Sequence, residues 1–455
     1  MNSSPQQQDG LPVPQRYWAI FSVALAITMA VLDGAIANIA LPTITHDLGT
    51  SPGAAIWIVN GYQLAVTISL LPLASLGEIF GYARVYRGGL ILFAIASLAC
   101  ALSTSLETLT VARILQGFGA AGIMSVNSAL IRFIYPRAQL GRAVGIIAMV
   151  VAVSSAVGPT VAAAILAVAR WQWLFAINVP LGLVAIMVAR TLPVTPRGRH
   201  RFDWISAGLN AVMFGSFISS IDGFAHGGGL PLSLGLMALA IVSGVLLVLR
   251  QLERPSPLLP VDLLRIPIFA LSISTSVFAF AAQTLAGVCL PFFLQTFAGR
   301  SEVATGLLMT PWPLTIAIVA PIAGKLADRY PAGLLGGAGL LIFALGLLSL
   351  GFLHPNPASI DIIWRMALCG VGFGLFQSPN NRAMLSSSPP ERSGGASGML
   401  GTARLTGQTT GAALVALIFG IAPDHFTNIS LFLGAGFALV AMGLSMTRLA
   451  APSRI

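Results

Sequence analysis

The sequence predicts an all-α integral membrane protein, with fourteen transmembrane helices arranged as two six-helix bundles, a two-helix insertion between them, and both termini cytoplasmic. Three observations predict it. Charged residues make up 8% and hydrophobic residues 56% of the 455 positions, with a mean hydropathy of +0.88. A water-facing domain carries about 25% charged residues, so this chain cannot cover one. Apolar runs of about 20 residues, enough to cross a ~30 Å hydrocarbon core, recur along the whole length. Finally, the 24 cations are sorted to one side of those runs.

Taken in order, residues 1–16 (MNSSPQQQDGLPVPQR) are polar and Pro/Gln-rich and read as a disordered cytoplasmic tail. They lack the basic start and short apolar run of a cleaved signal peptide. Runs at 17–41, 55–75, 88–104, 107–131, 143–169 and 172–190 form a first bundle over 17–190. The linker 191–265 carries an inserted hairpin with runs at 204–225 and 231–250. Runs at 268–294, 304–323, 332–353, 362–381, 397–421 and 428–447 form a second bundle over 266–447, followed by a cytoplasmic tail, 448–455. All are Leu-, Ala-, Ile- and Gly-rich and too long for barrel strands.

Loop cations set the orientation. With a cytoplasmic amino terminus, one side holds Arg16, Arg84, Arg87, Arg132, Arg137, Arg142, Arg190, Arg197, Arg199, Arg201, Arg250, Arg254, Arg265, Lys325, Arg329, Arg382, Arg392, Arg448 and Arg454. The other holds only Arg170 and Arg300, and Arg113, Arg365 and Arg404 fall inside runs. The net charge of +10 is therefore topogenic, and no nucleic-acid partner is expected. Three cysteines and five scattered histidines exclude a disulfide scaffold and a metal cluster. Cys100, Cys289 and Cys369 read as small packing residues. No phosphate-cradling glycine loop with a lysine is present, so no enzyme and no cofactor is expected, and an ion gradient is the expected source of energy.

Two features repeat at nearly one offset. Glu78 in PLASLGEIFGYARV matches Asp328 in PIAGKLADRYPAG (328 − 78 = 250), and Arg113 in RILQGFG matches Arg365 in RMALCGVGFG (365 − 113 = 252). Two parallel halves of this kind are one plan for secondary transporters. The same residues carry a resemblance. LDGAIANIALP at 32–42, WIVNGYQL at 57–64, Arg113, Gln116, Gly117 and Gly119 in the fourth run, and Gly145, Gly158 and Pro159 in the fifth are similar to motifs of the major facilitator superfamily, in its fourteen-span drug/proton antiporter branch. WQWLFAINVPLG at 171–182 and GGASGMLGTARLTGQTTG at 394–411 match as well. Departures are Ala35 and Ala37 in the first run, Ala74, Glu78 and Tyr82-Ala83 in the first cytoplasmic loop, and Ser154 and Ala162-Ala163 in the fifth run; small residues are kept, so close helix packing is expected to survive.

Ionisable groups within spans are costly and mark function. Of the acids, Asp33 and Asp222 lie clearly inside runs. Asp33 can carry a proton or trade it for a cationic substrate; the structural alternative is a carboxylate paired with Arg113. The resemblance implies a part for Arg113 in proton coupling, with a structural clamp as the rival. Asp222 joins them as a coupling candidate, although an interfacial, structural acid is its simpler reading. The expected midplane cavity is lined by Asn38, Trp57, Asn60, Tyr62, Gln63, Met124 and Asn127 from the first half and by Phe278, Phe280, Gln283, Trp312, Phe373, Phe376, Gln377 and Asn380 from the second. Core or lipid contact is the competing reading for each aromatic. The resemblance implies that Glu78, Gly81 and Arg84, with Gly324, Asp328 and Arg329, latch the halves together in the outward-facing state. It also implies that Gly145, Ser154, Gly158 and Pro159 seal against proton leak.

Together these readings predict a proton-coupled antiporter of a bacterial inner membrane. Its expected cargo is lipophilic cations such as quaternary ammonium compounds, dyes and biocides, exported by a monomer working by alternating access. Aromatic faces and one carboxylate suit such a cargo. The alternatives are an exporter of an endogenous metabolite or organic anion, with Arg113, Arg365 and Arg404 as contacts, and a non-transporting membrane sensor or scaffold.

Overall fold

The computed structural model describes residues 10–136, 139–195, 197–198, 202–225, 229–252, 260–354, 357–388 and 393–449. The outer parts of both predicted tails, and Arg137, Arg199, Arg201, Arg254, Arg392 and Arg454 of the cation count, lie outside the described residues. Each predicted run is a helix. These are α1 (Gln15–Asp47), α2 (Trp57–Phe80, after a turn at Pro52–Ala55), α3 (Tyr82–Ala101), α4 (Leu106–Ile134), α5 (Leu140–Leu166), α6 (Gln172–Thr191, interrupted at Ile177), α7 (Trp204–Ala225) and α8 (Leu230–Leu252). They continue with α9 (Pro267–Phe292), α10 (Glu302–Met309 and Pro311–Leu326), α11 (Ala332–Gly351), α12 (Ser359–Ser387), α13 (Ser393–Ile421) and α14 (Phe426–Thr447). Among the described residues no strand occurs, and 13 helices are long and apolar enough to span a bilayer. An even number of crossings puts the start of α1 and the end of α14 on one face, the terminal face; the other is the far face.

Several helices outrun their apolar cores. α1 continues through Pro42 to Asp47, since membrane helices tolerate an interior proline where neighbouring helices and local adjustments satisfy the freed backbone groups. α8 turns Leu239, Ile241, Val242, Val245, Leu246 and Leu249 outward, a face that only lipid can cover.

Helix pairings recur eight helices later. α3–α4, α2–α4, α1–α5, α3–α6 and α1–α6 pack as α11–α12, α10–α12, α9–α13, α11–α14 and α9–α14 do. The α7–α8 hairpin packs against α2 and α13. Glycine contacts fix the register of the repeat. A Cβ on Gly119 would meet the backbone of Phe93 at 2.5 Å, and one on Gly372 would meet that of Phe343 at 2.4 Å; a Cβ on Gly117 would lie 2.5 Å from the Tyr62 carbonyl, and one on Gly370 2.3 Å from that of Trp312. The α2/α10 and α3/α11 offsets are thus 312 − 62 = 250 and 343 − 93 = 250, as Glu78 and Asp328 predicted. The α4/α12 offset is 370 − 117 = 253, not 252. One residue turns a side chain by about 100° on a helix, so Arg365 is not the counterpart of Arg113. It pairs with Asp361, one turn back.

Candidate functional site

α1 brings Asp33 to the centre of the first half, where it is 1% exposed. Arg113 on α4, also 1% exposed, pairs with Asp33 Oδ2. Asp33 Oδ1 accepts from Gln116 Nε2 at 2.8 Å and from Asn178 Nδ2 at 3.0 Å. Gln116 lies three residues after Arg113, on the same face of α4. Its Oε1 accepts from Arg113 at 2.6 Å, and its Nε2 also donates to Ser97 Oγ on α3 at 2.9 Å. Arg113 Nε donates to the Ile58 carbonyl of α2 at 3.1 Å. Its guanidinium lies 4.2 Å from the Tyr62 ring centre and 5.5 Å from that of Phe175. One carboxylate and one guanidinium therefore join α1, α2, α4 and α6, with α3 reached through Gln116.

Gln116 and Asn178 were legible only as parts of motifs. Among the described residues, the second half carries no such charged cluster at the corresponding place. There Trp312 stands at the position of Tyr62, and edge-to-face rings fill the space: Trp312–Phe343 at 5.5 Å, Phe343–Phe373 at 5.5 Å, Phe280–Phe373 at 5.3 Å and Phe373–Phe376 at 5.6 Å. Such pairs favour this geometry. Phe376, expected to line the cavity, is instead core, and Phe280 and Trp312 are buried at its edge.

Other expected cavity residues separate. Asn380 is fully buried: its amide donates to Ser276 Oγ at 2.8 Å and its oxygen accepts from Arg448 at 2.7 Å, so its polar groups are engaged inside the second half. Trp57 donates its indole N–H to Asp222 Oδ1 at 2.9 Å, because α7 packs on α2. This bond ties the hairpin to the first half, and Asp222 is not drawn to Asp33. Asn38, Asn60, Gln63 and Asn127 each keep a buried side-chain oxygen without a protein partner, as Trp312 keeps its indole N–H. Gln283 and Gln377 are partly buried. Met124 and Asn127 line a cavity of about 90 Å³ between the halves, with Ile27, Ala30, Val31 and Val151 and, from α13, Arg404. A larger space of about 430 Å³ lies at the far face, walled by Phe292, Phe297, Phe419 and Phe426 with Asp424 at its rim. Neither Asp33 nor Arg113 lines it.

The motif glycines and acids sit at helix seams. A Cβ on Gly158 would stand 2.8 Å from that of Ala35, so α5 lies against α1. Ser154 donates to Thr28 Oγ1 at 3.1 Å, a bond the more usual glycine cannot make. Pro159 and Ala163 abut Gly306 of α10, while the Thr160 and Thr310 hydroxyls are 3.0 Å apart. Thr43 donates to Glu302 at 2.7 Å, and Gln295 donates to the Ile39 carbonyl at 3.0 Å. These bonds join the halves toward the far face. Gly145 lies on α5. On the terminal face Gly81, at φ +99°, forms the turn between α2 and α3, a conformation suited to glycine. Tyr82 N–H donates to Thr195 Oγ1 at 2.9 Å and Gly198 N–H to the Glu78 carbonyl at 2.7 Å. Arg84 is exposed. Asp328 pairs with Arg382 of α12, within its own half, where α10 and α12 end side by side. Gly324 faces Ser378, and Arg329 closes the turn after α10 through its backbone N–H.

Comparison with known proteins places these features. The family model described as Major Facilitator Superfamily matches residues 23–412. The uncharacterized transporter YebQ of Escherichia coli (strain K12) is 57% identical over 451 residues, 98% of each chain. The riboflavin transporter RibZ of Clostridioides difficile (strain 630) is 30% identical, over 89% of this chain and 88% of that one. The multidrug resistance protein Stp of Mycobacterium tuberculosis is 30% identical, over 87% and 74%. Among solved structures, a POT family transporter in complex with a thioalcohol-conjugated peptide superposes with a TM-score of 0.73 at 13% identity, over 95% of each chain, a likeness of fold alone.

Proposed function

The chain belongs to the Major Facilitator Superfamily, and on that premise we propose that it is a proton-coupled antiporter exporting lipophilic, drug-like molecules from a bacterial cytoplasm by alternating access. It is a multi-pass membrane transporter and not an enzyme. The excess of loop cations supports a cytoplasmic terminal face, and hence the inner membrane. The working unit in this reading is the monomer, and its energy source is the proton gradient, with no cofactor.

The observation that carries the reading is the enclosed Asp33–Arg113 pair, joined by Gln116 and Asn178. While ionised, Asp33 holds α1, α4 and α6 together, and Arg113 extends the hold to α2. Protonation removes the charge against which the guanidinium is buried, and leaving one member of a buried pair uncompensated is unfavourable. The four helices then have a reason to rearrange, and the far-face bonds of Thr43, Gln295 and Thr160 are those that opening must break. One charge crossing 100 mV is worth ~2.3 kcal/mol and one pH unit ~1.4 kcal/mol, enough for substantial concentration of a cargo.

The relative named for multidrug resistance supports drug export; the one named as a riboflavin transporter supports a second reading, transport of an endogenous metabolite. The expectation of cationic cargo relied on an acid open to the cavity, whereas Asp33 is enclosed by donors, so charge selectivity is a separate question. The test uses everted vesicles with an imposed pH gradient, a panel of cationic, neutral and anionic lipophilic dyes, and a pH-sensitive reporter. Dye movement that collapses the gradient in the wild type and is lost in Asp33→Asn is the expected result. Full gradient-driven export by Asp33→Asn would overturn the coupling role.

A further inference from the structure

The three arginines that fall within the predicted spans have different surroundings. Arg113 is paired with Asp33, and Arg365 with Asp361. Arg448, buried at the end of α14, has no carboxylate partner among the described residues but donates to Ser272 Oγ at 3.1 Å, to Asn380 Oδ1 at 2.7 Å and to Ser445. Arg404 differs from all of these. Among the described residues it makes no hydrogen bond and no ion pair, and its guanidinium lies 5.6 Å from the Phe280 ring centre. An arginine within a span that lacks a partner is unfavourable and points to function.

Arg404 also faces a space between the two halves. It projects from α13 of the second half into the 90 Å³ cavity, whose other walls, Ile27, Ala30, Val31, Met124, Asn127 and Val151, all belong to the first half. In that cavity Asn127 keeps its side-chain oxygen buried without a partner. Asp33 and Arg113 cancel, so among the described residues Arg404 brings an uncompensated charge to this cavity. A cationic cargo would be repelled there. A carboxylate matches the planar fork of a guanidinium, which can donate two parallel hydrogen bonds to it.

We propose that Arg404 is the recognition residue for the anionic head of a lipophilic organic anion, a carboxylate on an apolar body, with Asn127 as the second polar contact and the aliphatic walls taking the body. The volume in this conformation accommodates the head; separation of the halves during alternating access admits the rest. This assignment rests on the exporter reading and names its substrate class.

The test measures binding of fluorescein, a lipophilic carboxylate, and of ethidium, a lipophilic cation, to the purified full-length protein by fluorescence anisotropy. Proteoliposome transport of both dyes follows. Fluorescein binding should weaken at least tenfold in Arg404→Gln and stay within a few-fold of wild type in Arg404→Lys. Asn127→Asp, which keeps the arginine but sets a carboxylate beside it, should also weaken fluorescein binding, and Arg404→Gln should bind ethidium no worse than wild type does. Unchanged fluorescein binding in Arg404→Gln, or a wild type that binds and moves only ethidium, would overturn the anion assignment; Asp33-dependent dye export in the same vesicles would then leave the exporter reading standing. If the wild type neither binds nor moves either dye, both readings fall.

Discussion

Gly306 is a direct handle on the far-face closure. A Cβ built there would stand 2.6 Å from the Pro159 carbonyl oxygen and 2.7 Å from the Ala163 Cβ, both across the seam between halves and both inside the 3.0 Å within which real Cβ atoms essentially never approach. Gly306→Ala therefore forces α5 and α10 apart by several tenths of an ångström. Overpacking of this kind costs about 1–3 kcal/mol. The cost falls only on the conformation in which this contact exists, so the population should shift toward the far-face-open state by roughly 5- to 150-fold, at 1.4 kcal/mol per decade. The reporter is Thr160→Cys, beside the contact, labelled from the far face with a membrane-impermeant maleimide. Cys100, Cys289 and Cys369 are all buried, so background labelling should be low. The Gly306→Ala/Thr160→Cys protein should label faster than Thr160→Cys alone by at least the lower factor. A fall in melting temperature with no gain in labelling would refute the reasoning, placing the cost in the fold as a whole and not in one conformation.

Two further predictions concern charge. Arg113→Gln leaves the Asp33 carboxylate buried without its counter-charge and should destabilise the protein by about 3–5 kcal/mol, whereas the Asp33→Asn/Arg113→Gln double variant should lose less than Asp33→Asn and Arg113→Gln summed; thermal unfolding of the purified proteins decides, and additivity would show that the pair is not coupled. Asp203, just before α7, has its carboxyl pushed up by burial but pulled down further by hydrogen bonds from Arg250 and Ser206, to about 2. A depressed folded-state value stabilises the fold above the unfolded value of ~3.9. That contribution is lost as pH falls from about 4 to about 2, and melting curves of Asp203→Asn should lack this component; an unchanged acid profile would sink the assignment.

Hydropathy made the fourteen helices legible, because lipid exposure imposes long apolar runs whatever the tertiary packing. The Asp33–Arg113 pair was also legible, since two buried ions in one half have few other partners. What composition cannot reveal is direction. Trp57 and Phe376 share the chemistry of a cargo-lining aromatic, yet one faces α7 and the other the second-half core, a choice made by how helices rotate against their neighbours. Gln116 and Asn178 are uncharged and stand out only once α4 and α6 are placed beside α1. Arg365 was matched to Arg113 because the α4/α12 offset was taken as 252, and the glycine contacts show a 253-residue register there. The Asp328–Arg382 pair joins two adjoining helix ends of one half, a contact that loop spacing alone does not show.

The arginine that closes α14 has a bearing on how the second bundle is made. Its partners Ser272 and Asn380 precede it by 176 and 68 residues. During vectorial synthesis both therefore enter the bilayer well before Arg448 does. Asn380 can meanwhile turn its amide to Ser276, which leaves its carbonyl oxygen waiting. α14 thus brings with it the donor that completes a bond begun on α9 and α12.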